Sequence, residues 1–258
     1  MSLIDSHCHL DHFSDEEQPE IVARAERAGV SRMVTIGTRL HQAPVQKAIA
    51  ERFPQVWCTV GVHPHQAGEG EMPSVEAIVA TADHPRVIGI GESGLDYFYD
   101  KSPRDVQREG FRRHIRAARA AGLPLCIHAR DADDDVAAIL AEEHEAGGRF
   151  AFLLHCFSSG RGLAEAALAL GGIISFSGIL TFPRSDELRA IARDVPLDRL
   201  LVETDSPFLA PVPLRGKRCE PAYTVHTARV LAEVKGVAEA EIAAITTANF
   251  HRLYPKAA

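Results

Sequence analysis

The sequence predicts an α/β fold of the (β/α)8 barrel type on three grounds. Its 258 residues match the usual size of one such barrel, roughly 250. Short apolar β-type runs alternate with longer segments of helical periodicity. Acids and imidazoles stand at the ends of most of those runs, the rim where barrel enzymes keep their chemistry. A hydrophobic content of 46% and a charged content of 24% leave enough apolar side chain to bury a full core.

Eight runs read as strands, at 2–6, 31–36, 56–62, 86–91, 123–127, 150–154, 172–176 and 199–203, each rich in Val, Ile, Leu or Phe. Between them lie helix formers at 18–28, 41–52, 74–82, 103–121, 132–146, 161–170, 185–193 and 222–235. The segment 103–121 opens with Pro103 and stops before Gly122, which are start and stop signals of a helix. A last helix at 238–249 is expected to pack outside the barrel. No linker or composition shift divides the chain, so residues 1–258 are expected to form one domain.

Alternation alone also fits an open doubly wound sheet, and Gly89, Gly91 and Gly94 in GIGESG mimic its dinucleotide fingerprint. That fingerprint needs a helix at once, so that its N-terminus meets the pyrophosphate. Here LDYFYDKSP intervenes, and the glycines are read instead as letting the backbone turn tightly around Glu92.

The opening residues carry acids and histidines rather than a basic start and an apolar stretch, and no run approaches the roughly 20 apolar residues that span a bilayer. A cytoplasmic location is expected. Cys8, Cys58, Cys126, Cys156 and Cys219 are odd in number, scattered and free of any CxxC pair, which argues against a disulfide framework or a thiolate zinc site. Cys8 lies between two histidines, but in a strand it faces away from them. The net charge of −7 argues against nonspecific coating of duplex nucleic acid, while leaving open the entry of a nucleic-acid end into a pocket whose field is set by cations.

His7 and His9 end the first strand, His63 the third, Glu92 the fourth, His128 the fifth, His155 the sixth and Asp205 the eighth. One such residue means little. Leaving His63 aside, six nitrogen and oxygen donors on one rim are costly to bury unless something cationic lies between them. Residues two apart in a strand point the same way, so His7 and His9 can reach a single ion. His63-Pro64-His65 has that spacing too, but its proline marks a strand already ended. His63 is therefore assigned to substrate contact and His65 to a loop. His12, His41, His84, His114, His144, His226 and His251 are expected to be solvated or to cap helices.

Imidazole with carboxylate suits zinc, manganese, iron or nickel and admits magnesium, so two divalent cations of undetermined identity are the expected cofactors. Glu92 is the candidate bridge between them. Two divalent cations against two carboxylates leave the pocket positive, which favours a phosphate substrate over an amine.

The segments HxH, GVHPH, GESGLDY, HARDA, LHCFS, ETDSP and RGKRCEP, in this order from residue 4 to about 223, resemble the TatD family of metal-dependent deoxyribonucleases. The resemblance implies a (β/α)8 TIM barrel of the amidohydrolase type that hydrolyses DNA phosphodiesters by metal-activated water, with single strands or ends as partner. It places the first metal on His7, His9, Glu92 and Asp205 and the second on Glu92, His128 and His155. Catalytic roles fall to Glu92 as bridge and to Asp205 as the acceptor of a proton from the attacking water. Related barrels use a carbamylated lysine as the bridge, but none of the five lysines, Lys47, Lys101, Lys217, Lys235 and Lys256, lies at a predicted strand end. The family's RGKRNEP segment stands here as RGKRCEP, with Cys219 in place of asparagine. Arg215 and Lys217 in it are the expected contacts to substrate phosphate. Glu203 shares the inward face with Asp205 and is expected to orient a ligand histidine. The alternative activity is hydrolysis of another ester or amide, such as an aminoacyl linkage on RNA. A structural-metal scaffold is disfavoured, because six donors exceed the four of a closed site.

Overall fold

The structure is a computed structural model and describes residues 2–257. Eight parallel strands pair in sequence order: β1 Leu3–Cys8, β2 Val30–Thr35, β3 Val56–Val60, β4 Val87–Asp96, β5 Leu125–Arg130, β6 Phe152–Leu154, β7 Ile173–Phe176 and β8 Leu200–Val202. The crossovers carry α1 Gln18–Arg27, α2 Ala43–Arg52, α3 Val75–Ala82, α4 Arg104–Ala121, α5 Asp133–Gly147, α6 Arg161–Ala169 and α7 Asp186–Asp194. Then follow α8 Thr224–Lys235 and α9 Glu239–Leu253. This is the expected (β/α)8 barrel rather than the open sheet. No helix among the described residues is long and apolar enough to cross a membrane.

The seam between β8 and β1 closes through a short parallel bridge instead of a full ladder. Cys8 pairs with Ser206, His9 N donates to Ser206 O at 2.7 Å, and Asp205 N donates to His7 O at 2.9 Å. Below the bridge the fully buried Asp5 carboxylate accepts from Thr204 N at 2.9 Å and from Thr204 Oγ1 at 2.5 Å. Burial pushes the Asp5 carboxyl up to about 8, against the pull of these hydrogen bonds.

Two apolar layers hold the barrel. The outer one packs strand residues such as Met33, Val60 and Leu125 against the inner faces of the helices. On α4 the buried positions Phe111, His114, Ile115 and Ala118 recur at helical spacing, and Gly122 ends the helix with φ 64° in the left-handed region. The second layer gathers Ile4, Val34, Ile88, Cys126, Leu153, Ile173 and Leu201, one from almost every strand, with Phe250, Leu253 and Tyr254. The last helix therefore does more than pack outside the barrel: its final turn carries large side chains into the interior layer. The Tyr254 ring would lie 3.1 Å from a Cβ on Gly89.

His114, expected to be solvated or to cap a helix, is fully buried. Its Nδ1 donates to Gly110 O at 2.7 Å and its Nε2 accepts from Val62 N at 3.0 Å, an arrangement only the neutral ring can make. Burial lowers its pKa from 6.5 to about 4. Between these values the unfolded chain binds a proton that the folded protein refuses. The stabilisation is thus complete above pH 6.5 and is lost as the pH falls towards 4, by about 3 kcal/mol at most. Urea unfolding at pH 7.5 and 4.5 should show wild type losing that much more than His114→Gln, which cannot titrate. Equal losses would refute the role.

Candidate metal centre

β4 decides the geometry. It does not end at residue 91 with a turn around Glu92 but runs on to Asp96, placing Glu92, Gly94 and Asp96 on one face by the two-residue period of a strand. The glycines permit this. A Cβ on Gly91, whose φ is 114°, would lie 2.6 Å from Cys126 O, and one on Gly94, whose φ is 147°, would lie 2.0 Å from His128 O. Gly94 pairs with His128 in the β4–β5 register, so its missing side chain brings His128 beside Glu92. Gly94→Ala is expected to cost about 3 kcal/mol or more, from backbone strain together with the clash. Urea midpoints would show it, and a variant as stable as wild type would refute the packing argument.

The six expected donors meet. Glu92, 2% exposed, lies at the centre with its two oxygens facing different imidazoles. Oε2 is 3.4 Å from His7 Nε2 and 3.9 Å from His9 Nε2. Oε1 is 2.7 Å from His155 Nε2 and 3.0 Å from His128 Nδ1. Asp205 Oδ1 is 3.4 Å from His9 Nε2 and 3.6 Å from His7 Nε2. Asp205 holds a left-handed φ of 59°, a conformation costing an ordinary residue about 1–2 kcal/mol. Its backbone bond to His7 O helps to hold it there.

Burial opposes ionisation of Glu92, but His155, His63 and His7 and the hydrogen bond from His128 outweigh it and hold the carboxyl well below the usual range. Asp205 is likewise kept low, with burial overcome by the hydrogen bond from His9 and by the charge of the imidazoles. The donor set fits a divalent cation. His and carboxylate atoms approach within 4.8 Å of one another in four groups, His7–His9–Asp205, His7–Glu92–His155, His63–Glu92–His128 and, further out, His9–Asp11–His12. The His7 and His9 Nε2 atoms face each other at 3.3 Å, where at most one can donate to the other, and His9 Nδ1 is buried without a partner among the described residues.

These groups differ from the expected division. His63, expected only to touch substrate, brings Nε2 to 3.3 Å from Glu92 Oε1, while its Nδ1 accepts from His65 N. His65 is not a bare loop residue, since its Nε2 donates to Asp96 Oδ2 at 2.8 Å. Asp96 was not among the expected site residues. It is fully buried, and the same oxygen accepts from His128 Nε2 at 3.0 Å while His128 Nδ1 donates to Glu92 Oε1, so the ring is held between two carboxylates. The signal that could have found it is an acid four residues beyond Glu92 on one strand face. Glu203, expected to orient a ligand histidine, accepts from His155 Nδ1 at 3.2 Å and from Cys156 N at 2.9 Å.

His12, expected to be solvated or to cap a helix, is exposed and also stacks on His9, with ring centroids 5.3 Å apart. Cys8 points away from the cluster, its thiol meeting Val34 O. Arg215 and Lys217 lie exposed on the loop after β8, with no hydrogen bond or ion pair to the donors among the described residues, and the Arg215 guanidinium lies 4.1 Å over the Phe182 ring. Their neighbours anchor the loop: Arg218 pairs with Glu17 and Glu220 with Arg24. Cys219 is buried, and its backbone N donates to Pro207 O at 3.0 Å.

A closed barrel with a carboxylate and imidazole cluster on its C-terminal rim defines a metal-dependent hydrolase. The chain belongs to the TatD family, whose model, described as TatD related DNase, matches residues 4–255. It is 42% identical over 260 residues to the uncharacterized metal-dependent hydrolase YcfH of Escherichia coli, covering 98% of this chain and 96% of that one. It is 34% identical over 244 residues to the 3'-5' ssDNA/RNA exonuclease TatD of Salmonella typhimurium, covering 93% of each. The crystal structure of YJJV, a TatD homologue from Escherichia coli, superposes with a TM-score of 0.90 at 27% identity over 98% of both chains.

Proposed function

We propose that this chain is a cytoplasmic deoxyribonuclease that hydrolyses phosphodiesters at single-stranded DNA ends. The observation that carries the reading is Glu92, whose two oxygens face separate imidazole sets as a bridge between two cations would. His7, His9, Glu92 and Asp205 would hold one cation, and Glu92, His128 and His155 the other. Divalent ions there would supply Lewis acidity, acidifying a water and neutralising charge on the phosphate. A relative named as an exonuclease of single-stranded DNA and RNA supports the substrate class, and the five free cysteines fit the compartment.

The chain's own residues then divide the work. Asp205 is ionised and turns Oδ1 to His7 and His9, which leaves Oδ2 to take the proton of the attacking water as its oxygen bonds to phosphorus, while the P–O bond to the departing sugar oxygen breaks and that oxygen takes a proton from solvent. Asp96 and Glu203 fix the tautomers of His128 and His155 through the nitrogens that face away from Glu92. Arg215 and Lys217 lie on a loop that can reach a phosphate outside the cluster, and His63 faces the reacting group from β3.

Metal analysis joined to a turnover panel tests this. The expected result is about two divalent ions per chain and release of nucleotides from single-stranded DNA. Turnover of an aminoacyl-RNA or an amide, with DNA left intact, would overturn the nuclease reading in favour of another ester or amide.

A further inference from the structure

Large apolar side chains are exposed at five places among the described residues: Val45, Phe98, Tyr99, Phe208 and Val212. Three of the five are aromatic, and each of these is half exposed, at 54%, 52% and 50% respectively. All three leave the C-terminal rim of the barrel, Phe98 and Tyr99 after β4 and Phe208 after β8. They flank the donor cluster on two sides. Phe208 lies edge-on to His9 at 6.2 Å and to His12 at 5.6 Å. Tyr99 lies edge-on to His65 at 5.3 Å, and His65 lies 6.1 Å from His128.

The rings on the β4 side are attended by cations. The Arg130 guanidinium lies 4.3 Å over Phe98 and 5.1 Å over Tyr99. Beyond them a groove of about 880 Å³ opens, lined by Tyr97, Phe98, Arg130, Ser158, Ser159 and Phe182, the last of these under the Arg215 guanidinium. Its wall also carries the exposed Asp131 and Asp134, which repel phosphate but accept from the amino groups of a base.

We propose that Phe208 on one side and the Phe98–Tyr99 pair on the other are stacking platforms for the bases on either side of the scissile phosphate, making an unpaired strand the preferred ligand. The proposal rests on the nuclease reading above and deepens it. Flat π-faces suit every base, so the contact is tolerant of sequence. In a duplex those faces are occupied by neighbouring bases, and only an unpaired strand can present them. A chain of net charge −7 gains little from counterion release away from the cation site, so stacking is the contact that adds affinity for the bases beyond the scissile phosphate.

The probe is a single-stranded hexanucleotide with hydrolysis-resistant phosphorothioate linkages and 2-aminopurine at one position, titrated into Mn²⁺-supplied protein. Stacking quenches its fluorescence. We expect Phe208→Ala and Tyr99→Ala each to weaken binding about tenfold, Phe208→Trp and Tyr99→Phe to retain it, and a blunt duplex to bind at least tenfold more weakly than the single strand. Removing the base beside the scissile linkage should weaken wild type but not the alanine variant that lost the matching ring. Unchanged affinity in both alanine variants, or a duplex that binds as tightly, overturns the platforms. Cleavage of an ordinary strand by both variants at the parental KM would sink the platforms while sparing the nuclease reading. A wild-type protein that binds through these rings yet cleaves no phosphodiester would do the reverse.

Discussion

Replacing His7 and His9 together by alanine is expected to abolish DNA hydrolysis, with kcat/KM reduced by about 10³-fold or more, and to remove at least one divalent ion per chain. His7 Nε2 is the atom that touches both halves of the cluster. It lies 3.4 Å from Glu92 and 3.6 Å from Asp205, and its ring stacks on His155 at 3.8 Å between centroids. His9 adds the only other imidazole within 4 Å of Asp205 Oδ1 among the described residues. Losing both strips Asp205 of the imidazoles that face its Oδ1 and leaves Glu92 to His63, His128 and His155, at a cost of a few kcal/mol. The barrel should survive, because neither histidine belongs to the two apolar layers that hold strands to helices and strands to α9. Circular dichroism would establish the fold and elemental analysis the metal content. A folded double variant that degraded DNA at the parental rate would remove the cluster from the chemistry altogether.

Much of this architecture was legible in the residues. Each expected strand exists, because eight apolar runs separated by helix formers admit few other packings, and the six donors converge because each ends or follows a strand on the same rim. What escaped was set by backbone proximity. β4 was cut short at its glycines, since Gly91 and Gly94 read as punctuation until the β5 backbone is seen pressed where their side chains would be. With the strand ended too early, Asp96 fell into a loop and its grip on His65 and His128 disappeared with it. His114 was misplaced for a related reason. It sits on the buried stripe of α4, and only the unpaired Val62 N at the end of β3 explains why a histidine is tolerated there. The rim aromatics carried no signal at all, because exposure is decided by which loops cover which.

Asp205→Asn separates two jobs assigned to one residue. Asparagine keeps the size of the side chain and an oxygen that can face His9 and His7, but it has no charge and cannot accept the proton of the attacking water. If Asp205 only held a cation, its loss would weaken metal binding, and excess Mn²⁺ would restore turnover. If Oδ2 takes the proton, saturating metal cannot help, because the missing step lies in the reaction and not in occupancy. The second outcome is expected: kcat lower by about 10³-fold at saturating Mn²⁺, within the range for loss of a general base, with KM for single-stranded DNA changed only a few-fold. The carboxyl's low pKa sharpens the test. Burial alone would raise it, but the His9 hydrogen bond and the charge of His7 and His9 keep it below 3.8, so wild-type Asp205 is already deprotonated across neutral pH. Raising the pH therefore recruits no additional base in wild type, and in the variant it can only supply hydroxide from solution. Asp205→Asn should accordingly regain rate relative to wild type as the pH climbs, and recovery by metal rather than by pH would assign the residue to cation binding alone.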